Sequence, residues 1–398
     1  MGKIAEETVA TFQKYILPTY APGMMILKGK GSEVWDDENR RYIDFATGIS
    51  VCNLGHCHEG VSSAIKEQCE KLVHVSNLYY NEVTPKLAEK LITSGYDGAV
   101  FFANSGAEAN EGMIKLARKF GYATGRYEII TMVDSFHGRT LATLAATGRA
   151  KYRKGFAPDV EGFKMAEFNN FESLKAAITD KTCAVMLEPL QGEGGIIPVD
   201  VEYLKKVREL CNEKNLLLMY DEVQCGMGRT GNLFAWQTFG VQPDVLSMAK
   251  AIANGLPMGA VVVSRKYCDV LKVGEHASTF GGTPLVSAAA LATLEAIEKE
   301  NMLENCRKMG DYLMEKLTAM TKPYAFVKGV RGKGLMLGIV LDHSGAALKS
   351  KLQDNGLIAL TAGETVVRFL PALNLSKEIA DEALAIIEKS LAEYAASL

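Results

Sequence analysis

The sequence lacks the features of a secreted or membrane protein. No apolar run approaches the length of a membrane span, and the first residues, MGKIAEETVATFQKYILP, are acidic where a signal peptide has an apolar core. The same segment has no Ser or Thr where a myristoylation signal needs one. These absences predict a cytoplasmic protein with no membrane partner.

An excess of positive charge and a cysteine framework are also missing. There are 44 Lys and Arg against 47 Asp and Glu, which leaves a net charge of −3 and gives no indication of a nucleic-acid partner. The 8 Cys are scattered without a C-x-x-C pair, which favours reduced thiols. With 398 residues, of which 48% are hydrophobic, the chain is long enough for one large α/β domain and a smaller one.

Short apolar runs alternate with amphipathic helical segments between residues 100 and 265, a pattern that predicts a mostly parallel sheet. The predicted strands are 100–103, 128–132, 183–187, 216–220, 245–248 and 259–263, and the clearest helices are 107–120 and 201–212. Towards the ends, SEVWDDENRRYIDFA predicts a hairpin and GLMLGIVL a strand. We therefore expect a large domain at 46–285 and a small α+β domain formed by 1–45 and 286–398.

The segment LLLMYDEVQCGMGRTG, residues 216–231, has three interpretations. A strand ending in Asp221-Glu222 is typical of a triphosphatase, but no Gly-Lys pair in the chain is followed by the Ser or Thr of a phosphate loop. GMGRTG matches the fingerprint of an NAD-dependent oxidoreductase, although it does not follow the strand directly and opens no good helix. The third interpretation is that Asp221 is a carboxylate at a strand end, available to a cationic partner.

GHCHEG, residues 55–60, brings His56, Cys57 and His58 together in sequence. Tetrahedral metal sites usually take ligands two to four residues apart, with a second pair elsewhere, and only Cys52 lies nearby. We expect a loop with buried polar side chains here and no metal centre.

A phosphate site is predicted where a strand runs into Asn104-Ser105-Gly106 and Ala107 begins a helix. Backbone N–H groups at a helix start have no intrahelical partners and, with the helix dipole, can bind a phosphate monoester. Ser105 could also serve only as a helix cap. Both interpretations stay open from these residues alone.

Lys250, in VLSMAKAIANGLPMGA, directly follows an apolar strand and precedes small residues. This placement predicts a partly dehydrated ammonium with a lowered pKa, which suits imine chemistry. Lys250, Asp221 and the predicted phosphate site all follow strands, and open α/β sheets bind ligands at the carboxyl ends of their strands.

Taken together, these segments resemble the class III, or ω-, aminotransferases of fold type I, which use pyridoxal 5'-phosphate. The resemblance covers nearly the whole chain, and its specific segments occur in the family's order: NSGAEANE, SFHGRT, EPLQGEGG, DEVQCGMGRTG, AKAIANGLP and HASTFGGTPL. It implies a large domain with a mostly parallel sheet plus a smaller α+β domain. It also implies amino-acid and 2-oxo-acid substrates and a homodimer with shared active sites.

The resemblance also implies the cofactor-binding residues. Lys250 is expected to bind pyridoxal phosphate covalently and to shuttle the proton, while Asp221 pairs with the pyridine nitrogen. Phe136 is expected to stack on the ring and Gln224 to approach its phenolic oxygen. The other implied cofactor contacts are Ser105, Gly106, Ala107, Glu222, Val223 and, from the second subunit, Thr279.

For the substrates, the resemblance implies two carboxylate-binding forks, Arg139 and Arg368. Glu193 is expected to cover Arg368 when no carboxylate is bound, and Ser278 to touch the substrate. The wording of the segments favours N2-acetyl-L-ornithine as donor and 2-oxoglutarate as acceptor, as in arginine biosynthesis. Ornithine, 4-aminobutyrate, succinylornithine and succinyl-diaminopimelate remain alternative donors, because the same residues would serve all of them.

Overall fold

The structure is a computed structural model that describes residues 3–398. Its helices are α1 Lys3–Tyr15, α2 Thr47–Ser50, α3 Glu59–Lys71, α4 Thr84–Thr93, α5 Gly106–Gly121, α6 Leu141–Ala146, α7 Ala150–Arg153, α8 Phe171–Ala177, α9 Val201–Lys214, α10 Ala235–Phe239, α11 Pro284–Lys299, α12 Met302–Thr321, α13 Ala346–Asp354 and α14 Lys377–Ala395. Short 3-10 helices span Tyr122–Thr124, Lys250–Ala253 and Arg265–Tyr267.

The strands form one large and several small sheets. They are β1 Ile26–Lys30, β2 Glu33–Asp36, β3 Arg41–Asp44, β4 Gly98–Ala103, β5 Glu128–Met132, β6 Phe163–Ala166, β7 Thr182–Leu187, β8 Leu190–Gln191, β9 Ile197–Pro198, β10 Leu217–Asp221, β11 Val245–Met248, β12 Gly259–Ser264, β13 Val327–Lys333, β14 Met336–Leu341, β15 Leu357–Ile358, β16 Leu360–Ala362 and β17 Val366–Phe369. Each strand predicted between residues 100 and 265 is found, whereas β6 was not predicted.

The large sheet has seven strands in the order β4-β12-β11-β10-β7-β5-β6. Neighbours from β11 to β6 are parallel, and β12 alone runs antiparallel to both of its neighbours. Every residue of β5, β7, β10 and β11 is buried, as expected for a sheet with both faces covered. The fold is thus α/β with a mostly parallel sheet, which confirms the predicted class.

This topology brings three chain segments to one edge of the sheet. Because β4 and β11 are both antiparallel to β12, they run parallel to each other and to β10. The residues that follow β4, the last residue of β10 and the residues that follow β11 therefore lie at the same edge. These are the segments that carry Ser105, Asp221 and Lys250.

Two four-stranded sheets are built from segments on either side of the large domain. Their strand orders are β1-β2-β3-β15 and β13-β14-β17-β16. β2 and β3 form the predicted hairpin, and β3 pairs in parallel with β15 near the carboxyl end. This pairing supports a small domain built from both ends. Its exact limits remain a prediction, because α11 begins at Pro284 and packs on α3 and α4 of the predicted large domain.

The short segment α2 is not a regular helix but a left-handed turn. Thr47, Gly48, Ile49 and Ser50 have φ angles of 46°, 64°, 67° and 61°, a conformation that costs a non-glycine residue about 1–2 kcal/mol. Asp44 Oδ1 accepts the N–H groups of Ala46 at 2.7 Å and Thr47 at 3.0 Å, which fixes the entry to the turn.

Within residues 3–398, none of the helices has both the length and the apolar composition that a bilayer crossing requires.

Candidate active site

A cavity of about 410 Å³ opens at the sheet edge where β4, β10 and β11 end. This volume is within the usual range for small-molecule and cofactor sites. Nine of the residues predicted to bind cofactor or substrate line it: Ser105, Gly106, Ala107, Phe136, Arg139, Asp221, Val223, Gln224 and Lys250. Asn110, His137 and Glu188 line it as well, and sequence reasoning had not assigned them a role.

The start of α5 forms one wall of the cavity. Ser105 caps the helix, because its Oγ accepts the N–H of Glu108 at 3.1 Å. Gly106 lies so close to Val223 that a Cβ at this position would be 2.8 Å from Val223 Cγ1. Glycine therefore lets the helix start approach the end of β10, and N–H groups of its first turn are available to an anion in the cavity.

The carboxylate of Asp221 is buried beneath the cavity and is held by several donors. Oδ2 accepts Asn110 Nδ2 at 2.7 Å and His137 Nδ1 at 2.8 Å, while Oδ1 accepts the N–H of Val223 at 3.0 Å. Because a carboxylate only accepts hydrogen bonds, the contact assigns a proton to His137 Nδ1. Asp221 thus presents a negative charge in a fixed orientation.

Glu188 connects two loops that border the cavity. Its carboxylate accepts the N–H of Phe136 at 3.0 Å and the N–H of Gly192 at 3.2 Å. Burial raises the pKa of Glu188 to about 7. A sequence signal was present, since Glu188 directly follows β7 just as Asp221 closes β10.

Lys250 begins a short 3-10 helix beyond β11, with φ at 48°. Burial lowers the pKa of its ammonium; the Arg368 guanidinium acts in the same direction and the Glu193 carboxylate opposes it. The lowered pKa agrees with the expectation from sequence. A less basic amine is more readily available as a nucleophile and as a base.

Arg368 and Glu193 do not line the cavity themselves, but Arg368 contacts Gln224, which does, and its guanidinium is paired with the Glu193 carboxylate. Its Nη1 donates to Glu193 Oε1 at 2.6 Å and to Gln224 Oε1 at 2.9 Å, and the residue is only 2% exposed. Burial tends to raise the pKa of Glu193, but Arg368 lowers it overall. Among the described residues, the buried Nε of Arg368 has no hydrogen-bond partner, so the fork keeps one unused donor.

Arg139 and Phe136 form an aromatic–cation cluster at the cavity wall. The Arg139 guanidinium carbon lies 4.0 Å from the ring centroid of Tyr152 and 5.4 Å from that of Phe136. Such contacts orient a guanidinium without using its hydrogen-bond donors. Arg139 can therefore still bind a carboxylate.

Glu222, a predicted cofactor contact, does not line the cavity with Asp221. Its carboxylate instead accepts the N–H groups of Ala235 at 2.6 Å and Trp236 at 2.8 Å, at the start of α10. Successive side chains of an extended segment point to opposite faces, which accounts for the divergence from Asp221. Burial raises the pKa of Glu222 to about 8.

Ser278 and Thr279 lie outside the cavity in the single chain. They line an adjacent groove of about 760 Å³ instead. Ser278 Oγ accepts Asn104 Nδ2 at 3.2 Å and the N–H of Gly281 at 3.0 Å. Neither residue lines the cavity of its own chain, and their contacts with substrate and cofactor stay predictions.

The two remaining motifs, GMGRTG and GHCHEG, make contacts with other parts of the protein. GMGRTG forms turns after β10 and opens no helix, as expected for a loop. His56 Nε2 lies 2.7 Å from Asp44 Oδ2, and His58 Nε2 lies 2.9 Å from Glu300 Oε1, so the two histidines face different partners.

Comparisons with known proteins agree with this site. The profile of the family Aminotransferase class-III matches residues 18–391. Acetylornithine aminotransferase of Methanocaldococcus jannaschii is 49% identical over 386 residues, which are 96% of this chain and 97% of that protein. Succinylornithine transaminase/acetylornithine aminotransferase of Pseudomonas aeruginosa is 43% identical over 392 residues, with 96% and 97% covered.

A solved structure is also similar. Ornithine aminotransferase of Toxoplasma gondii, described with partial occupancy of pyridoxal phosphate at its active site, superposes with a TM-score of 0.92 at 33% identity. The match covers 97% of this chain and 94% of that one.

The residues of the cavity fit pyridoxal phosphate. The start of α5 suits its phosphate, the buried carboxylate of Asp221 its cationic ring nitrogen, and the amine of Lys250 its aldehyde. The aromatic ring of Phe136 lines the same cavity.

Proposed function

Because the chain belongs to the class-III aminotransferases, a pyridoxal-phosphate-dependent family, we propose that it transfers the δ-amino group of N2-acetyl-L-ornithine to 2-oxoglutarate. This is a step of arginine biosynthesis. The observation that carries the proposal is the placement of Lys250 and Asp221 in one cavity, together with Gln224, whose side chain contacts the Arg368–Glu193 pair. The choice of donor is supported by the names of the relatives with 49% and 43% identity.

When bound, pyridoxal phosphate supplies an electrophilic carbon for amines and a conjugated ring that accepts an electron pair. Lys250 would hold it between turnovers. When it is free, the Lys250 amine would take a proton from the donor carbon and would later deliver one to the acceptor carbon. Its lowered pKa favours the neutral form that this role requires.

Asp221 would hold a proton on the ring nitrogen. Its own orientation comes from Asn110 and His137, which both donate to Oδ2. Phe136, whose N–H is fixed by Glu188, would cover the ring face. N–H groups of Gly106 and Ala107 would bind the phosphate at the helix start.

Arg368 and Glu193 would decide which carboxylate enters. With the ion pair closed at 2.6 Å, the guanidinium is shielded and the donor's ω-amine can approach Lys250. With Glu193 displaced, Arg368 would bind the α-carboxylate of 2-oxoglutarate. Arg139 would take the other carboxylate.

We also propose a homodimer with shared active sites, in the cytoplasm. Thr279 and Ser278 lie at a groove bordered by exposed apolar side chains, among them Tyr79 and Tyr80. A second copy that covers this surface would bring its own Thr279 towards the cofactor phosphate. All 8 cysteines are free, which suits a reducing compartment.

The test is a panel of donors with 2-oxoglutarate. We expect the highest kcat/KM for N2-acetyl-L-ornithine, about tenfold or more above ornithine and 4-aminobutyrate. Succinylornithine is the critical competitor, because a relative is named for both acyl donors. A higher kcat/KM for any other donor would overturn the assignment of acetylornithine. Lys250→Ala is the control and should abolish turnover with every donor.

A further inference from the structure

Arg229, within GMGRTG, is fully buried and yet forms no ion pair with a carboxylate of residues 3–398. Nε donates to Ser50 Oγ at 3.0 Å, and Nη1 donates to the carbonyls of Leu335, at 3.0 Å, and Pro371. Nη2 donates to Asn53 Oδ1. Every acceptor is a neutral oxygen.

Burying a guanidinium without a carboxylate partner costs free energy of folding. Burial lowers the pKa of Arg229 to about 10, because the charged form loses its hydration. A packed apolar side chain would avoid this cost, so stability alone does not explain an arginine here. The three segments that its planar fork joins point to another role.

The first segment is the left-handed turn Thr47–Ser50. Ser50 Oγ accepts from Arg229 and in turn donates to the carbonyl of Gln224 at 3.2 Å. The next residue, Val51, lines the cavity. Because the turn has an unfavourable backbone conformation, its shape depends on contacts of this kind.

The second segment is the loop that contains Arg229 itself. The loop runs on from Gln224, whose side chain contacts Arg368. Asn53 Nδ2 donates to the carbonyl of Met227 in this loop at 3.0 Å. Arg229 therefore fixes the loop that places Gln224.

The third segment carries Arg368. Pro371 follows Arg368 by three residues, and Leu335 directly precedes β14, whose Gly338 pairs with Arg368 in β17. Arg229 Nη1 thus holds both strands of this pair from one end.

We propose that Arg229 is a positioning residue that holds Arg368, Gln224 and the left-handed turn in register, and so sets the affinity of the site for the carboxylate that Arg368 binds. The inference rests on the proposed function, because it assigns Arg368 a substrate carboxylate. It adds a residue outside the cavity to the determinants of acceptor binding.

The test is Arg229→Lys in the holoenzyme. Lysine keeps the charge, but its single nitrogen cannot reach both Ser50 beside the cavity and the carbonyls of Leu335 and Pro371 at the Arg368 strand pair. We expect KM for 2-oxoglutarate to rise about tenfold while kcat changes less than about threefold. The dissociation constant of glutarate, an unreactive dicarboxylate, should rise by a similar factor in calorimetry.

Arg208→Lys is the matched control. Arg208 is largely buried and donates to Asp244 Oδ2 at 2.8 Å, at the amino end of β11 and away from the cavity. It should leave KM and glutarate affinity unchanged.

The outcomes distinguish a positioning role of Arg229 from a purely structural one. If Arg229→Lys lowers thermal stability but leaves KM and glutarate affinity unchanged, Arg229 is merely structural and the proposal is overturned. If the variant does not fold, Ser50→Ala removes one acceptor and should weaken glutarate binding in the same direction; unchanged binding there also overturns it. If the wild type fails on acetylornithine while Arg229→Lys still weakens glutarate binding, the donor assignment falls and this inference stands.

Discussion

At Asp221, the position of one carboxylate depends on donors from three parts of the chain: Asn110 on α5, His137 after β5 and Val223 after β10. An asparagine can satisfy only some of them, because its amide nitrogen would face another donor. It would also lack the charge that holds a proton on a pyridine nitrogen.

We therefore expect Asp221→Asn to lower the transamination rate by roughly 100-fold or more, with a smaller loss of cofactor affinity. Single-turnover rates with a bound donor measure the first effect, and cofactor titration the second. Asp244→Asn, which loses a carboxylate paired with Arg208 away from the cavity, is the control. An unchanged single-turnover rate in Asp221→Asn would show that Asp221 is not the ring partner.

The ion pair of Glu193 with Arg368 makes a second prediction at this scale. An exposed guanidinium would also attract the α-carboxylate of an amino acid in the wrong half-reaction. The closed and displaced positions of the Glu193 side chain need differ by only a few kcal/mol in free energy for a ligand carboxylate to displace it. Glu193→Ala should speed the half-reaction with glutamate relative to that with acetylornithine, measured by stopped flow.

Glu193→Gln separates charge from shape, since it can still accept from Arg368 Nη1. We expect it to lie between the wild type and Glu193→Ala in the ratio of the two rates. If both half-reactions change by the same factor in both variants, Glu193 has no gating role.

Lys250 and Asp221 could be predicted because each lies at the end of an apolar strand, a local signal. Asn110 and His137 could not, because their role depends on contacts with Asp221 across 111 and 84 residues of sequence. Glu222 shows that a local sequence signal can also mislead. Its proximity to Asp221 in sequence suggested a shared cavity, but its side chain caps α10 instead.

At the scale of elements, the strands buried on both faces were predictable from continuous apolar runs. β6, FKMA, was not, because it is a short edge strand with an exposed Lys164 in its middle. The left-handed turn Thr47–Ser50 was also beyond prediction. A β-branched Ile49 at positive φ contradicts its local preference, and the turn is maintained by a local hydrogen bond to Asp44 and a tertiary one from Arg229.

The start of α5 gives a prediction at this scale. A Cβ at Gly106 would lie 2.8 Å from Val223 Cγ1, so Gly106→Ala should move the helix start away from the end of β10. Since alanine favours helix, any loss reports displacement and not helix propensity. We expect weaker retention of pyridoxal phosphate, by about tenfold or more, measured by equilibrium dialysis.

Gly60→Ala is the matched control, because Gly60 lies in the first turn of α3 and its added Cβ would meet His58 Cε1 at an ordinary 3.4 Å. That variant should retain the cofactor and gain about 0.5–1 kcal/mol of stability. Equal cofactor affinity in the two variants would show that close approach at Gly106 is not required.

For the whole molecule, the main feature beside the cavity is a groove bordered by exposed apolar side chains. Leu78, Tyr80 and Val273 are 82%, 104% and 106% exposed, and Phe280 is also exposed. Apolar side chains gathered in this way usually mark an interaction surface. Thr279 lies on the same groove and outside the cofactor cavity of its own chain.

If a second copy covers this surface and its Thr279 binds the cofactor phosphate, cofactor affinity must depend on protein concentration. We expect dilution that produces monomers to release pyridoxal phosphate, followed by its absorbance alongside analytical ultracentrifugation. Thr279→Ala should weaken cofactor binding about tenfold without shifting the monomer–dimer equilibrium, because one charge-assisted hydrogen bond is lost while the apolar surface is retained. Thr318→Ala, an exposed position on α12, should change neither property. A monomer that holds the cofactor as tightly as the dimer would leave the site complete within one chain and would remove the reason for sharing it.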